Sequence, residues 1–243
     1  MDEKILMEIG KKKGLINKEH IEKDYFQDVL LYNLFRKTNK LVFKGGTALY
    51  KIYKMPRFSE YLDFTMLENF GTEQLKQIVE GITKSMKWEI KSVRETKDSL
   101  LIKIGFNGII TEYNTLRIDV SIKNKVLEGF EVKNYVPEFI DINPFSLRVL
   151  KLEEMVAEKI HSILTREKAR DMYDLFFLLR ISRFNKELVD KKLAIFKMNY
   201  NFNRFKKTVN NLEILWEKEL KPFVLTELVD FKTVKDFVLD RVK

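Results

Sequence analysis

The stretch Leu41 to Met66, LVFKGGTALYKIYKMPRFSEYLDFTM, constrains the fold more than any other part of this chain. Its apolar start, Leu41 to Phe43, has the length and composition of a short buried strand. Two glycines, Gly45 and Gly46, follow at once. Lacking Cβ atoms, they let the backbone turn sharply and leave amide groups uncovered. Thr47 suits the cap of a helix over 47–54. A helix start offers free N–H groups and the positive end of a dipole, so Gly46 and Thr47 form a candidate seat for a phosphate-bearing ligand. A second strand, 60–66, completes the unit. Alternation puts Tyr61 and Asp63 on one face and Leu62 and Phe64 on the other. If Asp63 faces the glycine turn it is a candidate Mg²⁺ ligand; if it faces water it is an ordinary solvated carboxylate.

The flanking sequence supplies packing and further polar groups. Asn17 is placed to cap a helix running to Arg36, with Ile21, Tyr25, Val29 and Leu30 on its apolar face. His20, at the exposed start of that helix, reads as solvated. Gly71-Thr72 opens a helix to about Met86, and strands follow at Trp88–Val93, Leu100–Phe106 and Leu116–Ile122. In the last of these, Leu116, Ile118 and Val120 share one face, and Arg117, Asp119 and Ser121 the other. Asp119 is either a further metal-binding carboxylate or half of a surface ion pair with Arg117.

From Leu150 onward the apolar period becomes helical. This places an α/β domain over 1–150 and a helical domain over 151–243. Lys159 falls at the edge of an apolar stripe with Met155, Val156, Ile160 and Ile163. There it either lends its stem to packing, so that its loss would cost little stability, or aims its ammonium at a triphosphate. Asp171 and Asp174 share a face in the first turn of the next helix, where carboxylates favour the dipole. The tail beyond Ile181 is helical and basic, with Lys191, Lys192, Lys197, Arg204, Lys206 and Lys207.

Two separated segments carry a resemblance to the AbiEii/AbiGii toxin family of the nucleotidyltransferase superfamily. The first is Phe43-Lys44-Gly45-Gly46-Thr47 followed by Arg57-Phe58-Ser59 and Leu62-Asp63-Phe64. The second is Ala157-Glu158-Lys159 followed by Arg170-Asp171-Met172-Tyr173-Asp174-Leu175. The resemblance spans roughly residues 15 to 180. It implies a nucleotidyltransferase-like mixed sheet with flanking helices, followed by helices. It also implies transfer of a nucleotidyl group from a nucleoside triphosphate, with Mg²⁺ or Mn²⁺, to RNA at the tRNA 3′ end, and a cognate antitoxin. Within it, Gly45, Gly46, Thr47, Arg57, Ser59 and Lys159 correspond to nucleotide-binding positions. Asp63 and Asp119 correspond to metal ligands, and Lys159 with Asp171 or Asp174 to further catalytic residues. One position departs. The family has Asp-x-Asp where this chain has Tyr61-Leu62-Asp63, through natural divergence or a one-base inactivating change. The resemblance therefore implies impaired transfer, or a nucleotide- or RNA-binding module without catalysis.

Composition sets outer limits. A hydrophobic content of 45% supports a core, and a net charge of +9 suits a polyanionic partner. Zero cysteines excludes disulfides and thiolate metal sites, and two histidines, His20 and His161, make a His-rich zinc site unworkable. No apolar run reaches eighteen residues and the N-terminus lacks a signal-peptide core, so a cytoplasmic protein without a membrane partner is expected.

Overall fold

The computed structural model describes residues 1–243. The chain divides into two compact units. One comprises Met1–Lys54, Phe58–Lys125 and Phe130–Val149; the other comprises Met55–Arg57, Val126–Gly129 and Leu150–Lys243.

The first unit contains, in order, α1 (Glu3–Lys12), α2 (Lys18–Lys37), β1 (Leu41–Lys44), α3 (Gly45–Tyr53), β2 (Tyr61–Met66), α4 (Thr72–Met86), β3 (Glu89–Glu95), β4 (Ser99–Asn107), β5 (Tyr113–Ser121), β6 (Phe130–Tyr135) and β7 (Phe145–Leu150). The strands form one mixed sheet in the order β3-β4-β5-β2-β1-β7-β6. β2 runs parallel to β5 and β1 to β7, whereas β1/β2, β3/β4 and β4/β5 are antiparallel.

Alternation decides which face is core. Leu62 and Phe64 of β2, Leu100, Ile102 and Ile104 of β4, and Leu116, Ile118 and Val120 of β5 are all buried. α2 packs on β5 and α4 on β3. The alternate residues (Tyr61, Asp63, Lys103, Arg117 and Asp119) stand on the opposite face. Asn17 caps α2 as its sequence implies, its side chain accepting from the Glu19 and His20 N–H groups at 2.8 and 3.3 Å. His20 is not simply solvated: its ring stacks on Phe58 at 4.7 Å, and burial lowers its pKa.

The glycine turn is tighter than expected. Gly45 alone takes the left-handed conformation, φ +74°, and α3 begins at that residue with Lys44 in the cap position. Thr47 is therefore inside the helix and caps nothing. Its buried hydroxyl donates to the carbonyl of Tyr61, tying α3 to β2.

A buried charge cluster anchors the other side of α3. Lys51 lies between Asp24 and Asp28 of α2 at 2.8 and 2.7 Å, all three side chains fully buried. Burial alone would lower the Lys51 pKa, but the two carboxylates outweigh it and raise it. Burial, opposed by the Lys51 charge and reinforced by Asp24, pushes Asp28 up, and Tyr135 donates to it at 3.0 Å.

The second unit is built on α5 (Leu152–Arg166), α6 (Ala169–Ile181), α7 (Lys186–Ile195), α8 (Phe202–Asn211), α9 (Glu213–Leu220) and α10 (Phe231–Arg241). α5 packs against α6, α7 and α8, and α6 against α9 and α10. Met155, Val156, Ile160 and Ile163 of α5, Leu175 and Leu178 of α6 and Leu193 of α7 are all buried. Glu154 accepts the Leu127 and Glu128 N–H groups, both at 2.8 Å, and pairs with Lys192 at 2.7 Å. Lys192, read from sequence as part of a basic tail, is thus internal, with its side chain only 1% exposed.

Candidate functional site

Two constellations contain the residues singled out by sequence. The first lies at the glycine turn and the β2/β5 pair. Asp63 and Asp119 are direct register partners on parallel strands, which puts their Cα atoms about 4.8 Å apart with side chains on one face. Asp63 also pairs in register with Lys44 across β1. Its carboxyl group packs against Gly45 so closely that a Cβ there would lie 2.9 Å from the Asp63 Cβ and Cγ. Asp63 therefore faces the glycine turn.

That contact makes a prediction. Gly45→Ala places a Cβ in the left-handed region and drives it into Asp63. It is expected to cost about 1–3 kcal/mol, read as a lower denaturant midpoint at unchanged m-value. An unchanged midpoint would mean the turn does not need glycine.

Beside the carboxylates, Arg117 is the register partner of Tyr61. Its guanidinium lies 4.7 Å from the Tyr61 ring centroid and 3.3 Å from an Asp119 carboxylate oxygen. Asp119 thus has the ion-pair partner its strand suggested, and its side chain remains 34% exposed, open to exchange for another cation. Of the remaining first-motif residues, Ser59 is half-buried and its carbonyl accepts from Gln27 at 2.9 Å. α3 has no side-chain cap, so the first-turn N–H groups of Gly45, Gly46 and Thr47 are the donors its start offers.

The residues fit one hard cation better than two. Asp63 and Asp119 give oxygen ligands from adjacent strands, which suits a Mg²⁺ ion shared with substrate phosphates. No group of three or more His, Cys, Asp or Glu residues is placed to hold a metal, and the neighbour of Asp63 on the same face at the start of β2 is the phenol of Tyr61.

The second constellation lies within the helical unit. Arg57 donates to Asp174 Oδ1 through Nε and Nη2 at 2.9 and 2.7 Å. Lys159 reaches Asp174 at 2.6 Å and Asp171 at 2.9 Å, and Arg166 closes on Asp171 at 2.6 and 2.7 Å. Three cations and two carboxylates thus form one chain, Arg57–Asp174–Lys159–Asp171–Arg166, buried except at Arg166. Burial alone would raise the Asp171 pKa, yet the Lys159 charge and the Arg166 hydrogen bond hold it well below the usual carboxylate range. Burial would likewise lower the Lys159 pKa, and the two aspartates raise it instead.

Backbone contacts fix the far end of this chain. Arg57 bridges Val224, and Leu225 N–H donates to the Pro56 carbonyl at 3.0 Å.

Sequence reasoning missed Lys51, Asp24 and Asp28, which hold α3. Their signal was available: Asp24 and Asp28 lie four apart on a helix face otherwise made of Ile21, Tyr25 and Leu31. It also missed the cationic lining around Tyr61, because Lys23 of α2, Lys103 of β4 and Arg117 of β5 meet only in the folded chain.

A glycine turn into a helix, with carboxylates on the adjoining strands of a mixed sheet, is the architecture of a nucleotidyltransferase. Solved structures agree at the level of fold. MenT4, a nucleotidyltransferase toxin from Mycobacterium tuberculosis, matches with a TM-score of 0.65 at 18% identity, over 97% of this chain and 87% of that one. A putative nucleotidyltransferase from H. pylori matches with a TM-score of 0.58 at 20% identity, over 93% and 94% of the two chains. No curated protein sequence matched. The profile described as "Nucleotidyl transferase AbiEii toxin, Type IV TA system" matches residues 29–236. The chain belongs to the AbiEii nucleotidyltransferase toxin family, the toxin side of toxin–antitoxin systems.

Proposed function

We propose that this protein binds a nucleoside triphosphate at the start of α3 and directs its nucleotidyl group to a hydroxyl of RNA, with the tRNA 3′ end as acceptor, and that Tyr61 makes this transfer slow. The observation that carries the reading is the Asp63–Asp119 register pair packed against Gly45. It brings two carboxylates beside the uncapped start of α3, where a phosphate would sit. The net charge of +9 supports a polyanionic acceptor.

In this reading the first-turn N–H groups of Gly45, Gly46 and Thr47 hold the phosphates. Asp63 and Asp119 would hold Mg²⁺ or Mn²⁺, which when bound neutralises charge on the phosphates. The acceptor oxygen attacks the α-phosphorus, a new P–O bond forms, and the bond to the bridging oxygen breaks to release pyrophosphate. Asp119, when not engaged with the cation, would take the hydroxyl proton. The role of Arg57, Lys159, Asp171 and Asp174 is positional: their charges satisfy one another, and Lys159 would reach a phosphate only by giving up an ion pair. Action on RNA would place the protein in the cytoplasm, and its toxin family implies a cognate antitoxin as partner.

Asp63→Asn and Asp119→Asn test the site in a form that needs no turnover. In the unsubstituted chain, triphosphate affinity is expected to be higher with Mg²⁺ than with a chelator. In either variant that difference should vanish while affinity in chelator persists. Equal Mg²⁺ dependence in all three proteins would remove both residues from the site.

A second reading, a binding module of the same fold, is favoured by the Tyr61–Arg117 stack. The pair puts an aromatic ring and a guanidinium where the family pattern has a carboxylate.

A further inference from the structure

A pocket of about 220 Å³ opens beside the start of β2, where the β2/β5 pairing begins: Tyr61, Lys103 and Arg117 come to it from the face that carries Asp63 and Asp119, Lys23 from α2 and Leu116 from the core side, and neither carboxylate lines it. Its wall includes Lys23, Glu60, Tyr61, Lys103, Thr115 and Arg117. Three cations face one acid, a balance of +2. Glu60 is occupied by Lys23 at 2.8 Å. Lys103, exposed and registered with Arg117 across β4/β5, belongs to none of the ion pairs of this face.

The aromatic member is accessible: Tyr61 is 40% exposed, and the planar guanidinium of Arg117 lies over its ring. Two rungs away on β5 the arrangement repeats. Tyr113, on the same face as Arg117 by alternation, is 46% exposed with the Lys91 ammonium 5.2 Å from its ring centroid. Cations interleaved with exposed aromatic rings on a sheet are what a single-stranded polynucleotide needs: π-faces for unstacked bases and point charges for the phosphates between them. A duplex, whose bases are already stacked, cannot use the rings.

We propose that this pocket seats the nucleotide next to the acceptor hydroxyl of a single-stranded RNA, its base stacked on the Tyr61–Arg117 pair and its phosphate on Lys103, with the strand continuing past Tyr113. The inference rests on the reading of RNA as acceptor and adds where and in what form that RNA is held. Tyr61 and Asp63 are two residues apart on one face of β2, about 7 Å along the strand, so a strand end anchored at Tyr61 reaches the carboxylate pair. Tyr61 then has a use of its own, as a stacking surface.

The test uses the full chain, a fluorescein-labelled single-stranded RNA, and the same strand annealed to its complement, read by fluorescence anisotropy over a salt series. Single-stranded RNA should bind the more tightly. Tyr61→Leu should weaken its binding by about five- to a hundredfold, the range of one lost base stack. Lys103→Ala should weaken binding and reduce the salt slope of log K by about 0.7, the value for one phosphate contact on a single strand. Both positions are exposed, and thermal melting should confirm that both variants stay folded.

Equal or tighter duplex binding, or unchanged single-strand affinity and slope in both variants, overturns the proposal. The transfer reading fails separately. Single-strand binding lost in the variants stands even if no version of the chain transfers a nucleotide. Conversely, transfer without any dependence on Tyr61 or Lys103 for RNA binding sinks only the pocket.

Discussion

At saturating RNA, where the lost base stack no longer limits binding, Tyr61→Asp is expected to raise metal-dependent nucleotidyl transfer by roughly a hundred- to a thousandfold, and to make expression of the gene arrest growth. On the proposed reading, Asp63 and Asp119 would face the cationic charge that comes with the triphosphate, and Asp119 already spends part of its charge on Arg117 at 3.3 Å. A carboxylate at position 61 would act twice. It adds a negative charge on the same face two residues from Asp63. It also stands in register with Arg117, so it can take the guanidinium that now leans on Tyr61 and leave Asp119 to the cation. Restoring charge stabilisation of about 3–4 kcal/mol in the transition state gives the stated factor. Single-turnover incorporation of each labelled nucleoside triphosphate into total tRNA measures it. Brisk incorporation by the unsubstituted chain, no faster after Tyr61→Asp, would show that the reacting groups lie elsewhere. No incorporation by either version with any nucleotide favours the binding module.

What could be read from the sequence follows from the range of each interaction. β1, the glycine turn, α3 and β2 were legible because alternation, helical spacing and paired glycines are local signals. Asp63 and Asp119 could each be placed on a strand face by the same rule. That they are direct register partners could not, because 56 residues separate them and parallel pairing leaves no turn to fix the register. Thr47 was misassigned for a related reason. Capping propensity favours threonine at a helix start, but the left-handed Gly45 makes the whole turn in one residue, so Thr47 falls inside α3 and its hydroxyl finds the Tyr61 carbonyl. From Leu150 the change to a helical period was a signal of the same local kind, and it showed in the sequence. The short excursions Met55–Arg57 and Val126–Gly129 did not, because their grouping with the helices rests on single contacts such as Arg57–Asp174 and Glu154 with the Leu127 N–H.

Lys159 shows most sharply how burial alters a sequence-level expectation, and its substitution has the largest expected effect on stability. A lysine at the edge of an apolar stripe should lend its stem to packing and tolerate truncation. Here the ammonium is buried between Asp171 and Asp174, so Lys159→Ala leaves two interior carboxylates short of a cation. Arg57 still serves Asp174 and Arg166 still serves Asp171, which limits the damage, but the expected loss remains about 3–5 kcal/mol, a large share of a typical domain's stability.

Its pH dependence has a definite sign. Asp171 is held below its ordinary range, so its contribution is present above the unfolded carboxylate pKa of about 3.9 and is lost as pH falls toward the depressed folded value. Lys159 is held above its ordinary range, so its contribution is complete below about pH 10.4 and is lost as pH rises past that point. The variant's deficit should therefore be full at neutral pH and shrink at both extremes.

A double substitution separates ion pairing from mere volume. Lys159→Met with Asp171→Leu removes a cation and an anion together and leaves Asp174 to Arg57, while Arg166, 59% exposed, turns to water. Chemical denaturation should find the pair less destabilised than the sum of its parts, by a coupling of about 0.5–3 kcal/mol. Additive losses, or a Lys159→Ala protein as stable as the parent but weaker for triphosphate, would return Lys159 to the role of a free phosphate ligand.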